Sequence, residues 1–132
     1  MAKRIKNGEL QVPHIKILVT VKYLNELGYY PLAYGVYKIL IGSIDESYLM
    51  FQYCPTYQTL ISYSIKRIAI MCARLKRDQY LEEAFDTVTQ TFYLKITDLG
   101  LSLLSNYFSS HSHNFKKSAS REKPAIIYIG DN

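Results

Sequence analysis

The chain has two cysteines, four prolines, six glycines and no tryptophan in 132 residues. Cys54 and Cys72 show neither CxxC spacing nor a neighbouring histidine, so neither a zinc site nor a disulfide scaffold is expected, and the cytoplasm is the expected compartment. So little proline and glycine excludes a collagen-like or low-complexity chain. No apolar run approaches the roughly 20 residues of a spanning helix. The first such run, after the basic Lys3, Arg4 and Lys6, is interrupted by Pro13, His14, Lys16 and Lys22, which argues against a signal peptide and against a membrane partner. Glycine-rich phosphate loops, GxSxG elbows and paired carboxylates at active-site spacing are also missing, since Glu82 and Glu83 are adjacent on a strand and point to opposite faces. The expectation is a protein that is not an enzyme and takes no cofactor.

What is present suits one globular domain, because 48% of residues are hydrophobic and 20% charged, and a length of about 100 to 200 residues supports a single core. Thirteen tyrosines against five phenylalanines supply rings that pack while keeping a hydroxyl in water. Sixteen lysines and arginines against 11 acidic residues leave a net charge of +5 and a pI near 9.1, a balance that favours polyanionic partners. The placement of those charges decides more than their sum.

Hydrophobic periodicity predicts a first helix over residues 12–27, with Ile15, Leu18, Val19, Val21 and Leu24 turned inward, Pro13 in its first turn and Gly28 at its end. A second helix is expected over 32–41 and closes at Gly42-Ser43. Residues 43–59 read as a packed short helix or an ordered loop. A third helix is predicted over 60–77, with Ile61, Ile65, Ile68, Cys72 and Leu75 as its buried stripe. The stripe opposite reads Tyr63, Arg67, Ile70, Arg74 and Arg77, with Lys66 and Lys76 beside it. Strands over 80–85 and 91–96 flank a hairpin loop, and on the second strand Phe92, Leu94 and Ile96 share one face while Thr91, Tyr93 and Lys95 share the other. Thr97-Asp98 then caps a last helix carrying Leu99, Leu103, Leu104 and Phe108.

The flanks differ in character. Residues 1–11 form a basic arm, 12–108 the domain, and 109–132 a tail rich in Ser, His and Lys. Within that tail Ala125-Ile126-Ile127-Tyr128-Ile129 is a strand signal, able to pair with a sheet edge in this chain or in a second copy as a homodimer. His111-Ser112-His113 has no third ligand nearby, so no metal site is expected there.

Helix, helix, basic helix, hairpin and closing helix is the order of a winged helix-turn-helix, here α+β and mainly helical: a three-helix core, a β-hairpin wing and an additional C-terminal helix. The run Pro31-Leu32-Ala33-Tyr34-Gly35-Val36-Tyr37-Lys38-Ile39-Leu40-Ile41-Gly42-Ser43, then Tyr53-Cys54-Pro55-Thr56-Tyr57, Arg77-Asp78-Gln79-Tyr80-Leu81-Glu82 and Leu94-Lys95-Ile96-Thr97-Asp98-Leu99-Gly100 resembles successive landmarks of the RecQ C-terminal winged-helix domain, including its small free-standing bacterial forms. The most specific piece is Leu40-Ile41-Gly42-Ser43, and the closing Thr-x-x-Gly at Thr97 recurs in many winged helices. The resemblance implies binding of duplex DNA or duplex ends, with backbone contacts at the second-helix terminus, here Lys38 and Ser43, and at the third helix, and with a wing that in some members enters between base pairs. Two departures matter. Ile44-Asp45-Glu46 stands where the family carries a lysine-rich run, and carboxylates there repel phosphate. The helicase motor and four-cysteine zinc module are not in the sequence, so unwinding by this chain is not expected.

The expected duplex DNA contacts are therefore Tyr63, Lys66, Arg67, Ile70, Arg74, Lys76 and Arg77 on the third helix, Tyr93 and Lys95 on the wing, and Lys38 and Ser43 after the second helix. Each has a plainer reading. A basic stripe is commonly a solvated face, exposed strand aromatics commonly pack across strands, and Lys38 complements its helix dipole. A winged helix used for protein contact or dimerisation, with the tyrosines as the contact surface, is the alternative.

Overall fold

A computed structural model describes residues 10–110. These form an α+β arrangement of helices and one hairpin: α1 (Val12–Glu26), α2 (Ala33–Ile41), α3 (Glu46–Leu49), α4 (Ile65–Arg77), β1 (Leu81–Asp86), β2 (Thr91–Ile96) and α5 (Asp98–Ser110). The chain divides into two compact units, Met1–Leu101 and Ser102–Asn132. In the second unit the described residues are the helical turns at 102–110, where the rings of Tyr107 and Phe108 meet edge to face at 5.3 Å and Ser110 donates back to the Asn106 carbonyl. The arm through residue 9, the expected strand at 125–129 and the His111 and His113 pair lie outside the described residues. Among the described residues no helix is long and apolar enough to cross a membrane.

In the first unit α1 is the central strut. It packs against α2, α4 and β2, and being surrounded explains why more than one face is apolar. Ile15, Leu18, Val21 and Leu24 are buried as periodicity predicts, but Ile17 and Thr20 are also fully buried, which a one-sided stripe does not anticipate. Burying a threonine requires a partner for its hydroxyl. Thr20 donates to the Lys16 carbonyl at 2.7 Å and meets the Thr56 hydroxyl, which in turn lies 3.4 Å from Cys54 Sγ.

Helix α2 ends where Gly42 adopts φ +77°, a left-handed conformation that glycine enters without strain. A Cβ at that position would also collide with the Gln58 side chain, which gives the glycine of the Gly-Ser pair two physical reasons to be there. The segment that follows is an ordered loop containing the single turn α3. Gln58 N–H donates to the Ile39 carbonyl and Leu60 N–H to the Leu40 carbonyl, and Phe51 and Cys54 join Leu24 and Ile39 in a buried cluster against which Tyr23, Tyr48 and Tyr57 pack.

The basic helix starts later than its periodicity suggests. Ser64 is the N-cap of α4, its hydroxyl accepting the Arg67 N–H at 3.1 Å, so residues 60–64 are not helical. Held to α2 at Leu60, the chain turns before it can coil. Ile61, expected on the buried stripe, is consequently 67% exposed, Ile65 is partly exposed, and Tyr63 precedes the helix; the buried stripe is Ile68, Cys72 and Leu75.

In the hairpin Leu81 pairs with Ile96 and Asp86 with Thr91, one residue beyond the expected first strand. Leu81, Leu94 and Ile96 face the core, and Phe85 and Phe92 stack 4.8 Å apart toward the tip, each about half exposed. The other edge of β2 is not left open. Leu94 N–H donates to the Pro31 carbonyl at 2.7 Å, and Ile96 N–H donates to Asn25 Oδ1 at 2.9 Å. Thr97 caps α5 by accepting the Gly100 N–H at 3.0 Å while donating to the Gln79 carbonyl at 2.7 Å. Leu99, expected to make apolar contact, is exposed. Gly100 turns inward instead, so near the Tyr80 carbonyl and Ile96 that a Cβ would clash with both.

Asn25 thus joins α1 to the hairpin by a hydrogen bond whose loss leaves a strand N–H unpaired. Asn25→Ala is expected to lower unfolding free energy by about 1 to 3 kcal/mol, read by urea denaturation, and to raise amide exchange at Ile96 more than at Ile68.

Candidate nucleic-acid interface

With Ile68, Cys72 and Leu75 pointing inward, the side of α4 turned to solvent is Lys66, Ile70, Ala73 and Arg77, spaced i, i+4, i+7, i+11 and all exposed. Ala69 lies beside them, also exposed. The expected basic stripe is therefore rotated. Arg74 falls on the flank, its side chain only 18% exposed and its Nε 3.3 Å from Asp78 Oδ2. Arg77 also approaches Asp78, at 3.7 Å, but remains largely in solvent. Lys76 Nζ is 2.8 Å from Glu83 on the hairpin. The cations at the C-terminal end of the helix are thus partly neutralised by acidic residues just beyond it.

At the N-terminal end the balance differs. Among the described residues no carboxylate lies within ion-pair distance of Lys66 or Arg67. Arg67 places its guanidinium 4.0 Å from the centre of the Tyr63 ring, an attraction that orients the charge without cancelling it. Lys16, which the helical reading of α1 passes over, reaches the Thr59 carbonyl at 3.4 Å and adds a cation beside the segment leading into α4. No sequence signal singles it out, because it is one of several polar residues spaced along α1.

The remaining expected contacts are bound up in local structure. Lys38 Nζ is 2.8 Å from Asp45 and its side chain is 16% exposed; it also lies 5.5 Å from the centre of the Tyr34 ring. Hydrogen bonding to Lys38 holds the Asp45 carboxyl below the usual range, and the same bond raises the lysine. Asp45, the residue at which the chain departs from the resembled pattern, therefore occupies the lysine that the pattern would send to phosphate. Ser43 accepts the Asp45 N–H at 3.1 Å through its hydroxyl, and its carbonyl accepts from Tyr57. On the hairpin, Lys95 sits 4.0 Å from Glu82, and the half-buried Tyr93 places its hydroxyl 3.1 Å from Thr89 Oγ1. Tyr93 also borders an apolar cavity of about 240 Å³ shared with Tyr29, Tyr30, Tyr34 and Phe51.

Burial pushes the Cys72 thiol up to about 12 and raises Cys54 as well, so neither supplies a thiolate at neutral pH. Among the described residues no three of His, Cys, Asp and Glu come together to hold a metal ion. No protein-family model, curated protein or solved structure matches this chain.

His14 is the buried titratable group next to this helix. It accepts the Gln11 N–H through Nδ1 at 3.2 Å, and burial, followed by the charge of Arg74, lowers its pKa from 6.5. A base depressed in the folded state stabilises the fold above its unfolded pKa, and that contribution is lost as pH falls through the folded value. Thermal stability is expected to decline as pH drops below 6.5, and His14→Gln should flatten that decline. An unchanged pH profile in the variant would remove His14 as its source.

Proposed function

We propose that the chain is a non-catalytic DNA-binding protein of winged-helix type, resembling the RecQ C-terminal domain, that serves as a transcriptional regulator or an accessory at DNA structures. In this reading α1, α2 and α4 are the core, α4 is the helix presented to duplex DNA, and the hairpin that follows it is the wing. The observation that carries the reading is the N-terminal half of α4, where Lys66 and Arg67 stand in solvent without acidic partners among the described residues at the helix end whose dipole is itself positive. Phosphate neutralised there releases counterions, the main source of affinity for a duplex. The longer connection between α2 and α4, residues 42–64, exceeds the three or four residues of a simple helix-turn-helix, and its packing against Leu24 and Ile39 makes it part of the core.

The half-exposed Phe85 and Phe92 pair and the tyrosine-bordered cavity favour a second reading, in which the same domain is a protein-contact or dimerisation module. Salt dependence separates the two. In a fluorescence-anisotropy titration of duplex DNA, Lys66→Ala with Arg67→Ala should reduce the slope of log affinity against log salt by about 2, roughly one for each phosphate contact removed. Equal slopes for the double variant and the parent would defeat the DNA reading and leave the interaction module.

A further inference from the structure

The chemistry of α4 limits what it can recognise in DNA. Its thirteen residues, Ile-Lys-Arg-Ile-Ala-Ile-Met-Cys-Ala-Arg-Leu-Lys-Arg, include no amide, hydroxyl or carboxylate side chain. Adenine is read by Asn or Gln and cytosine by Asp or Glu, so this helix lacks both means. Guanine is read by a free Arg or Lys fork. Here the Arg67 guanidinium is held over Tyr63, Arg74 is engaged by Asp78 and Lys76 by Glu83, so the cations left are Lys66 and Arg77 at the two ends of the helix. The outermost stripe instead has a cation at each end, Lys66 and Arg77, with exposed Ile70, Ala69 and Ala73 between them. At 1.5 Å per residue the two cations stand about 16 Å apart along the axis. A helix lying obliquely along a B-form major groove about 12 Å wide brings side chains at its two ends to the phosphates of opposite rims. The apolar middle then faces the groove floor, where the one apolar group displayed is the thymine C5-methyl.

Resting on the DNA-binding reading above, we infer that α4 enters the major groove with Lys66 and Arg77 on opposite phosphate rims and with Ile70, flanked by Ala69 and Ala73, against thymine methyl groups. The ligand class is duplex DNA rich in A·T pairs, selected by methyl contact and not by hydrogen-bond readout. An Ile exposed at 60% in the middle of a helix otherwise cationic at its ends has an occupant in this arrangement.

The test uses the full 132-residue chain and four duplexes of equal length, each titrated over a series of salt concentrations: one rich in A·T, the same with deoxyuridine replacing every thymidine, and a G·C duplex with and without 5-methylcytosine. Each methyl buried against the helix is worth about fourfold in affinity, so deoxyuridine should weaken binding several-fold and 5-methylcytosine should strengthen it. Ile70→Ala, at an exposed position that the fold does not need, should bring the thymidine and deoxyuridine affinities together while leaving the salt slope of the parent. Equal binding of thymidine and deoxyuridine duplexes by the parent, or an undiminished preference in Ile70→Ala, overturns the methyl contact and leaves DNA binding intact. Absence of salt-dependent binding to every duplex overturns DNA binding itself and this inference with it.

Discussion

Burial of α1 on several sides is the constraint on which the rest of the first unit depends. Because α2, α4 and β2 all pack against this helix, Ile17, Leu18 and Val21 lose essentially all contact with solvent, and each buried aliphatic side chain contributes about 1.5 to 3 kcal/mol relative to exposure. The same surroundings demand that polar groups at its centre be paired. Thr20 and Thr56 satisfy each other within the core, and Asn25 turns the last turn of α1 into an anchor for the hairpin. Helices and hairpin are therefore positioned by one shared surface, and the direction in which α4 faces outward follows from how Ile68, Cys72 and Leu75 meet it.

That orientation redistributes a charge that composition presents as a sum. Arg74 turns to the flank and pairs with Asp78, Lys76 reaches across to Glu83, and Lys38 is taken by Asp45. Exposed pairs of this kind add about 0 to 1 kcal/mol of stability, so their larger effect is on what remains for a ligand. Lys66 and Arg67 at the start of the helix, and the outward Arg77, remain the cations most available on α4. The proposed interface is smaller than the basic run in the sequence, with two of its cations, Lys66 and Arg67, at the N-terminal end of the helix and Arg77 at the other.

Much of the element order is legible in the residues. Gly28, Gly42 and Ser64 sit at helix ends because a left-handed turn or a short hydroxyl is required there, and the alternation in β2 survives at Leu94 and Ile96, which are buried as expected. Periodicity misplaced the start of α4, because Ile61 continues an i, i+4 pattern by coincidence while hydrogen bonding of Leu60 to α2 stops the coil. It also missed Ile17 and Thr20, since a stripe assumes one packed side. The tyrosine excess resolves in part: Tyr23, Tyr48 and Tyr57 line the buried cluster around Phe51, a filling role that leaves the hydroxyl free to reach water or, for Tyr57, the Ser43 carbonyl.

By itself the sequence determined the kinds of element, most of their ends and which helix carries the positive charge, since capping, left-handed turns and hydrophobic spacing are local properties of neighbouring residues. Only the tertiary structure decided which of those charges stay free and which side of α4 faces outward. Pairing of Lys38 with Asp45 and of Lys76 with Glu83 brings together residues from different turns and elements, and no local rule fixes which partner a long flexible side chain will reach. The absence of any hydrogen-bonding side chain other than its cations along α4 was written in the sequence from the start. Its consequence for the proposed recognition became visible only once the buried stripe had fixed which of those residues face solvent.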